Sequence, residues 1–160
     1  MEKYIRPMLA TDHAIVVDVF KDSINSLCRK LYSKQQIKVW LSLATIDGAM
    51  DRALINGNGW VSCLDSEIEA FAIRYPTDRL ALLYCRGRSC RQGHAKSLLN
   101  RIELDALVSK EKSLKTEASL LSYKLFLSLK WKIIRLGSAN INNVSFNHYV
   151  MKKNLCRDFV

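Results

Sequence analysis

The run Tyr84-Cys85-Arg86-Gly87-Arg88-Ser89-Cys90-Arg91-Gln92-Gly93-His94-Ala95-Lys96-Ser97-Leu98-Leu99 holds the residue types best suited to chemistry in this 160-residue chain. An apolar stretch with the pattern of a buried strand leads into a basic loop containing glycine, and the apolar spacing that follows is helical. The N-terminus of a helix carries free amide N–H groups and the positive end of the helix dipole, which together bind phosphate. Gly93 lets the backbone come close to a ligand, Ala95 keeps the next turn small, and the arginines can add charge-assisted hydrogen bonds. Turning and solubility also account for a Gly and an Arg at a strand–helix junction, so the segment alone leaves both readings open.

Other reactive side chains are scattered. Cys28, Cys63, Cys85, Cys90 and Cys156 are odd in number and irregular in spacing, which fits small buried hydrophobes in a reducing cytoplasm better than a disulfide framework. Cys85, Cys90 and His94 are close in sequence but lack the paired spacing of a zinc site, so no metal is expected. The formal net charge of +10 suits a polyanionic partner (nucleic acid, anionic membrane or a phosphate-rich cofactor) or a merely solvated face. Arg86, Arg88, Arg91, Lys96 and Arg101 concentrate that charge around the loop.

The rest of the chain must position this loop. A composition of 49% hydrophobic and 25% charged residues, with 6 glycines and 2 prolines, is that of a globular protein, and residues 1–160 are read as one domain. No apolar run approaches the ~20 residues of a spanning helix, and the charged start Met1-Glu2-Lys3 does not suit a signal peptide. A soluble, cytoplasmic protein is expected.

Periodicity predicts a strand over 4–8, then a helix capped by Thr11 or Asp12 with Ile15, Val16, Val19, Phe20, Ile24 and Leu27 on one face. A second helix opens at Ser33, where Gln36 completes a capping box. After the loop at Asn56-Gly57-Asn58-Gly59 come strands over 60–64, 68–75 and 80–85, the last apolar throughout and expected to be central and buried on both faces. A helix over 93–109, a strand over 114–118, a helix from Ser119 to about 129, and strands over 131–136 and 146–151, separated by a loop at 140–143, complete the order β-α-α-β-β-β-α-β-α-β-β.

This order and the loop together resemble the GNAT (GCN5-related N-acetyltransferase) superfamily. Its pyrophosphate loop reads Gln/Arg-x-x-Gly-x-Gly/Ala, and here the stretch is Cys90-Arg91-Gln92-Gly93-His94-Ala95: the Gly and Ala match, Cys90 replaces the first residue, and Arg91 or Arg88 could supply the missing side chain. The resemblance implies an α/β (α+β) fold with a central, mixed but mostly antiparallel seven-stranded sheet flanked by about four helices. It implies acetyl-CoA as co-substrate. The amides of Arg91, Gln92, Gly93, His94, Ala95 and Lys96 would hold the pyrophosphate. The backbone of Leu83, Tyr84 and Cys85, in a bulged fourth strand, would pair with the pantetheine arm, and Ser119 and Phe126 would flank it after the fifth strand. Many proteins of that fold are dimers, so the resemblance admits a homodimer.

Acyl transfer from a thioester to an amine needs a neutral amine, a polarised carbonyl and a proton for the leaving thiolate. The tyrosine that often supplies the proton in this family is Phe126 here, and Lys130 stands where a Gly usually precedes the aromatic Trp131. Tyr123, one turn nearer the helix start, is the candidate donor. Ser119, Tyr123 and Phe126 are spaced to share a helix face. Glu69, Glu117 and His148 are candidate bases or ordinary surface and structural residues. Cys28, Tyr32 and Trp40 fall where the family recognises its acceptor, and Trp40 is expected in the core. The acceptor is an unidentified amine of a small molecule or protein. Two other readings compete: an acyl-CoA-binding protein without turnover, and a nucleic-acid-associated protein in which Lys124, Lys130, Lys132, Arg135, Lys152 and Lys153 form one patch.

Overall fold

Alternating residues in the first half of the chain build an antiparallel sheet. In the computed structural model, which describes residues 2–44 and 48–155, β1 (Lys3–Pro7), β2 (Asn58–Leu64), β3 (Glu67–Arg74) and β4 (Leu80–Cys85) hydrogen-bond in that order. A second antiparallel sheet has the order β5 (Ser113–Ala118), β7 (Val144–Asn154), β6 (Lys132–Ile141). The helices are α1 (His13–Leu27), α2 (Lys34–Ser42), α3 (Ala49–Asn56), α4 (His94–Val108) and α5 (Tyr123–Ser128). Cys156 lies outside the described residues, and Cys28, Cys63, Cys85 and Cys90 are free.

The seven expected strands are present, but not as one continuous sheet. β4 and β5 meet only at their starts. Arg79 and Lys115 form a parallel bridge, the Lys115 amide donates to Asp78 O at 3.0 Å, and Thr116 Oγ1 donates to Leu80 O at 2.9 Å. The physical reason for the split lies in β4. Leu80 pairs with Arg74 and Leu82 with Ile73, so Ala81 is an extra residue, and such a bulge bends and twists its strand. Past it the two strands are edges of separate sheets. The expectation that β4 is buried on both faces is corrected accordingly: β3 is buried from Ile68 to its end, whereas β4 beyond Leu80 is half-buried.

Two cores lie on opposite faces. Phe71 and Ile73 of β3 point to the α1 side, among Val16, Val19, Phe20 and Ile24. Ala70 and Ala72 point the other way, where their small size admits Leu98, Leu99 and Ile102 of α4. The second core continues through Leu114, Ala118, Phe126, Trp131 and Met151.

Local signals held unevenly. Ser33 Oγ accepts from the Gln36 amide at 3.1 Å and Gln36 Oε1 from the Ser33 amide at 2.8 Å, the expected capping box; Gln36 Nε2 also reaches Ser145 O and ties α2 to β7. Asp12 does not cap α1 with its side chain. Its carboxylate accepts from the Leu9 amide and both Arg6 terminal nitrogens, closing the 3-10 turn ahead of the helix. α3 was not anticipated; its apolar signal, Met50 with Ala53 and Leu54, spans only two turns. The loop expected over 140–143 is instead a two-residue turn, with Asn142 and Asn143 at φ 49° and 64°, which lengthens both β6 and β7.

Phe71, fully buried, stacks on Tyr84 with centroids 5.8 Å apart and so carries the core to β4. Phe71→Ala is expected to cost about 3–5 kcal/mol. Thermal unfolding should show Tm lower by roughly 10 °C or more. A drop of a degree or two would mean that β4 is held by something other than this contact.

Candidate functional site

Glu69 fixes the loop that follows β4. It is 3% exposed, and its carboxylate accepts from Arg88 Nε at 2.8 Å, Arg88 Nη2 at 2.7 Å and Ser89 Oγ at 2.7 Å. Arg86 Nε lies 3.5 Å away. The Arg88 guanidinium, with help from Ser89 and Arg86, holds the Glu69 carboxyl below its ordinary range despite burial. Glu69 is therefore a structural anion rather than a base facing the cleft. Arg88 is also taken, since it bridges to Glu67 as well. Of the two arginines considered for the phosphate loop, Arg91 remains exposed and lines the cleft. From the α1 side, Asp22 Oδ2 accepts from the Gly87 amide at 2.8 Å, and Gly87 packs so closely on Ser26 that a Cβ there would fall 2.5 Å from Ser26 Cβ.

Gly93 precedes α4 at φ 87°, a conformation that costs glycine little. No side chain caps the helix, so the amides of its first turn lack side-chain partners. Lys3 Nζ donates to Gln92 O at 2.8 Å and adds positive charge beside them. The His94 ring turns inward instead. It is 1% exposed, Nδ1 is 2.7 Å from Ser62 Oγ on β2, and Nε2 has no partner. Burial first, then Lys3, pushes the His94 pKa down, so the ring is neutral and pins the helix start to the sheet.

Between β4 and β5 lies a cleft of about 1210 Å³. Leu83, Tyr84 and Cys85 line one wall, Arg91, Gly93, His94, Ala95 and Lys96 one end, and Ser119 and Phe126 the β5 side. Gln92 does not line it; its side chain bonds back to Arg88 O. Cys28, Tyr32 and Trp40 also reach the cleft. Trp40 is both core and wall: it packs in the α1-side core while its Nε1 donates to the Tyr84 hydroxyl at 3.2 Å. The Tyr32 ring stands edge-on to Trp40, centroids 5.0 Å apart, and its hydroxyl accepts from the Leu120 amide at 2.9 Å. Burial raises the pKa of both tyrosines and pushes the Cys28 and Cys85 thiols up to about 11 and about 12. Those thiols are protonated at neutral pH and poorly suited to nucleophilic attack.

Known structures share this fold. A GCN5-related N-acetyltransferase from Rhodopseudomonas palustris superposes with TM-score 0.91 at 22% identity, covering 97% of each chain. PaiA N-acetyltransferase from Thermoplasma acidophilum, solved with coenzyme A, gives 0.71 at 15% identity over 96% of this chain and 99% of that one. YncA, a putative acetyltransferase from Salmonella typhimurium solved with its cofactor acetyl-CoA, gives 0.68 at 12% identity over 100% and 98%. No family sequence model and no curated protein matches the chain. The chain has the GNAT fold.

Within the GNAT fold, Phe126 is buried against Trp131 with centroids 5.0 Å apart and cannot donate a proton. Tyr123 is not brought to the cleft; its ring stacks on Tyr149 at 4.3 Å. Of the three residues expected to share a face, Ser119 and Phe126 line the cleft; the helical turn does run from Ser119, whose carbonyl accepts from the Tyr123 amide at 3.1 Å, but the Tyr123 ring is taken up by Tyr149. Glu117 and His148 both line the cleft, Glu117 held by Arg79 Nε and Nη2 at 2.9 and 2.6 Å. Among the described residues no group of three or more His, Cys, Asp or Glu is placed to hold a metal, and no helix is long and apolar enough to cross a membrane. Sequence reasoning missed the roles of Glu69, Asp22 and Ser62. A carboxylate inside the apolar run Ile68–Ile73, beside an arginine-rich loop, was the available signal for the first.

Because the His94 pKa is lowered by folding, the unfolded chain binds the extra proton below about pH 6.5. Its contribution is present above that pH and lost as pH falls towards the folded value. Tm is expected to fall between about pH 7 and about pH 5, above the carboxylate range, and to fall less in His94→Gln. Equal slopes in the two proteins would show that the ring does not titrate this way.

Proposed function

We propose that the protein transfers an acetyl group from acetyl-CoA directly to an amine. One observation carries the reading: the open edge of β4 and the uncapped N-terminus of α4 face the same cleft. Unpaired strand amides and carbonyls suit the amide groups of a pantetheine arm, and helix-end amides suit a pyrophosphate. The first-turn amides of α4, with Arg91 and Lys96, are assigned the pyrophosphate, and the free edge of Leu83, Tyr84 and Cys85 the arm. Solved proteins of similar fold that hold coenzyme A or acetyl-CoA support this assignment.

In the transfer, the amine nitrogen forms a bond to the thioester carbonyl carbon, the carbon–sulfur bond breaks, and the sulfur takes a proton. Tyr32 is the proposed donor in place of Tyr123. Tyr32 lines the cleft, its hydroxyl accepts from the Leu120 amide beside the Ser119 side chain and retains a proton to give, and it stays neutral because burial raises its pKa. His148 is the proposed acceptor of the proton lost by the amine. A cytoplasmic setting suits the free cysteines. A second reading, acyl-CoA binding without turnover, is favoured by Phe126 and by the withdrawal of Tyr123; acetylation of any amine eliminates it.

Saturating acetyl-CoA is expected to raise Tm by roughly 5–10 °C, the effect of about 2.7 kcal/mol at a hundred times Kd. Gly93→Glu should abolish the shift, since it adds strain and a like charge at the phosphate site. No shift in the parent protein would remove the cofactor assignment. In an amine-dependent assay, Tyr32→Phe is expected to lower kcat by about 10²-fold or more while Tyr123→Phe changes it by less than about twofold. The reverse pattern would restore Tyr123 as donor.

A further inference from the structure

The basic patch expected from sequence forms in part: Lys132, Arg135 and Lys152 share one exposed face of the second sheet. Lys153 faces α4 and pairs with Glu103. Strand register lines up Lys115 of β5, Lys152 of β7 and Lys132 of β6 directly across the sheet. The next rank on that face is Glu117, Val150 and Arg135, and the next holds His148 beside Gly137. A Cβ on Gly137 would lie 2.6 Å from His148 Nε2 and 3.1 Å from Arg135 Nη1, so both side chains lie on this face.

Lys115, Lys132, Lys152 and Arg135 are exposed. Asp78 lies 3.3 Å from Lys115, and Arg79 neutralises Glu117. Among the described residues, Lys132, Lys152 and Arg135 have no ion pair. Like charges directly opposite one another destabilise a sheet, so the rank works against the fold that carries it. It also adjoins the proposed reaction site, because Glu117 and His148 of the same face line the cleft. Arg29, Lys30 and Lys124 make the cleft walls themselves basic.

We propose that this face docks acidic side chains that flank the acceptor amine of a polypeptide substrate. The rank spans two strand spacings, roughly 10 Å, and alternate side chains of an extended peptide recur about every 7 Å, so neighbouring carboxylates can reach successive cations. No phenylalanine, tyrosine or tryptophan stands in these ranks, where Val150 and Gly137 neighbour Arg135, which suits a peptide better than a nucleic acid that binds by base stacking. The word acceptor rests on the acetyl-transfer reading; the docking itself does not.

The test is fluorescence anisotropy on the full chain without acetyl-CoA, using a labelled glutamate-rich peptide with a free N-terminal amine, its glutamine counterpart, and a labelled single-stranded RNA of matching length. The glutamate peptide should bind about tenfold more tightly than the glutamine peptide and weaken with salt. The double variant Lys132→Gln, Lys152→Gln should weaken it by about tenfold, with Tm unchanged or higher because repulsion is relieved. Equal binding of the two peptides, or no effect of the double variant, would overturn the proposal. RNA binding tighter than the glutamate peptide, with the same variant dependence, would overturn it in favour of a nucleic acid. Acetyl-CoA stabilisation is read separately: variant-sensitive peptide binding without it supports the docking face while removing the transfer reading.

Discussion

Two parallel neighbours, β4 and β5, stop hydrogen-bonding after their first residues, and the rest of the molecule follows from that separation. A sheet that opens exposes backbone donors and acceptors on both edges, which is costly where water is scarce. The bulge at Ala81 starts the divergence, and the two cores maintain it. On one side Phe20 and Phe71 pack against the Tyr84 ring; on the other, Leu114, Phe126 and Met151 hold β5 to its own sheet. The cleft is thus a feature of rigid elements rather than of a loop, which suits a site that must align two reactants.

Electrostatics divide along the same line. The arginine-rich loop looks like a phosphate trap, yet its best-placed guanidinium, Arg88, is committed inward to Glu69 and Glu67. What the loop gains is shape: the arginines gathered on buried Glu69, Asp22 on the Gly87 amide and His94 on Ser62 fix where the first turn of α4 points. Backbone amides at the helix end, with Arg91 and Lys96 beside them, are left for the ligand. Further along the cleft the charge stays positive, and Arg29, Lys30 and Lys124 have no ion pair among the described residues. A cationic amine such as a polyamine would meet Arg29, Lys30 and Lys124, with the nearby carboxylate of Glu117 already engaged by Arg79.

The sequence made the strand, loop and helix around Gly93 legible, and the surroundings of the candidate acid and bases much less so. Apolar patterning located β2 to β4 and α4, the stripe of α4 facing the sheet, and the Ser33–Gln36 box marked a helix start. β6 was seen too short, since its residues are almost all exposed and its turn is built from two asparagines rather than a glycine pair. Tyr123 was misplaced for a concrete reason. The helical turn does run from Ser119, whose carbonyl accepts from the Tyr123 amide at 3.1 Å, but the Tyr123 ring stacks on Tyr149 of β7, a long-range contact that spacing along one chain does not show. Glu69 was left open between a base and a surface or structural carboxylate, because a single chain does not show that Arg88 returns across the strand to meet it. Lys132, Arg135 and Lys152 were grouped from sequence, but the addition of Lys115 and the departure of Lys153 show only in the register of three strands and in the pairing with α4.

The most direct measurement is hydrogen exchange of individual backbone amides with and without acetyl-CoA. The account predicts slowed exchange at Leu83, Tyr84 and Cys85 and at the first turn of α4, with little change on β1 and β2. Protection absent from those amides, or concentrated on another part of the surface while acetyl-CoA is bound, would contradict the claim that the open edge of β4 and the N-terminus of α4 form one cofactor site.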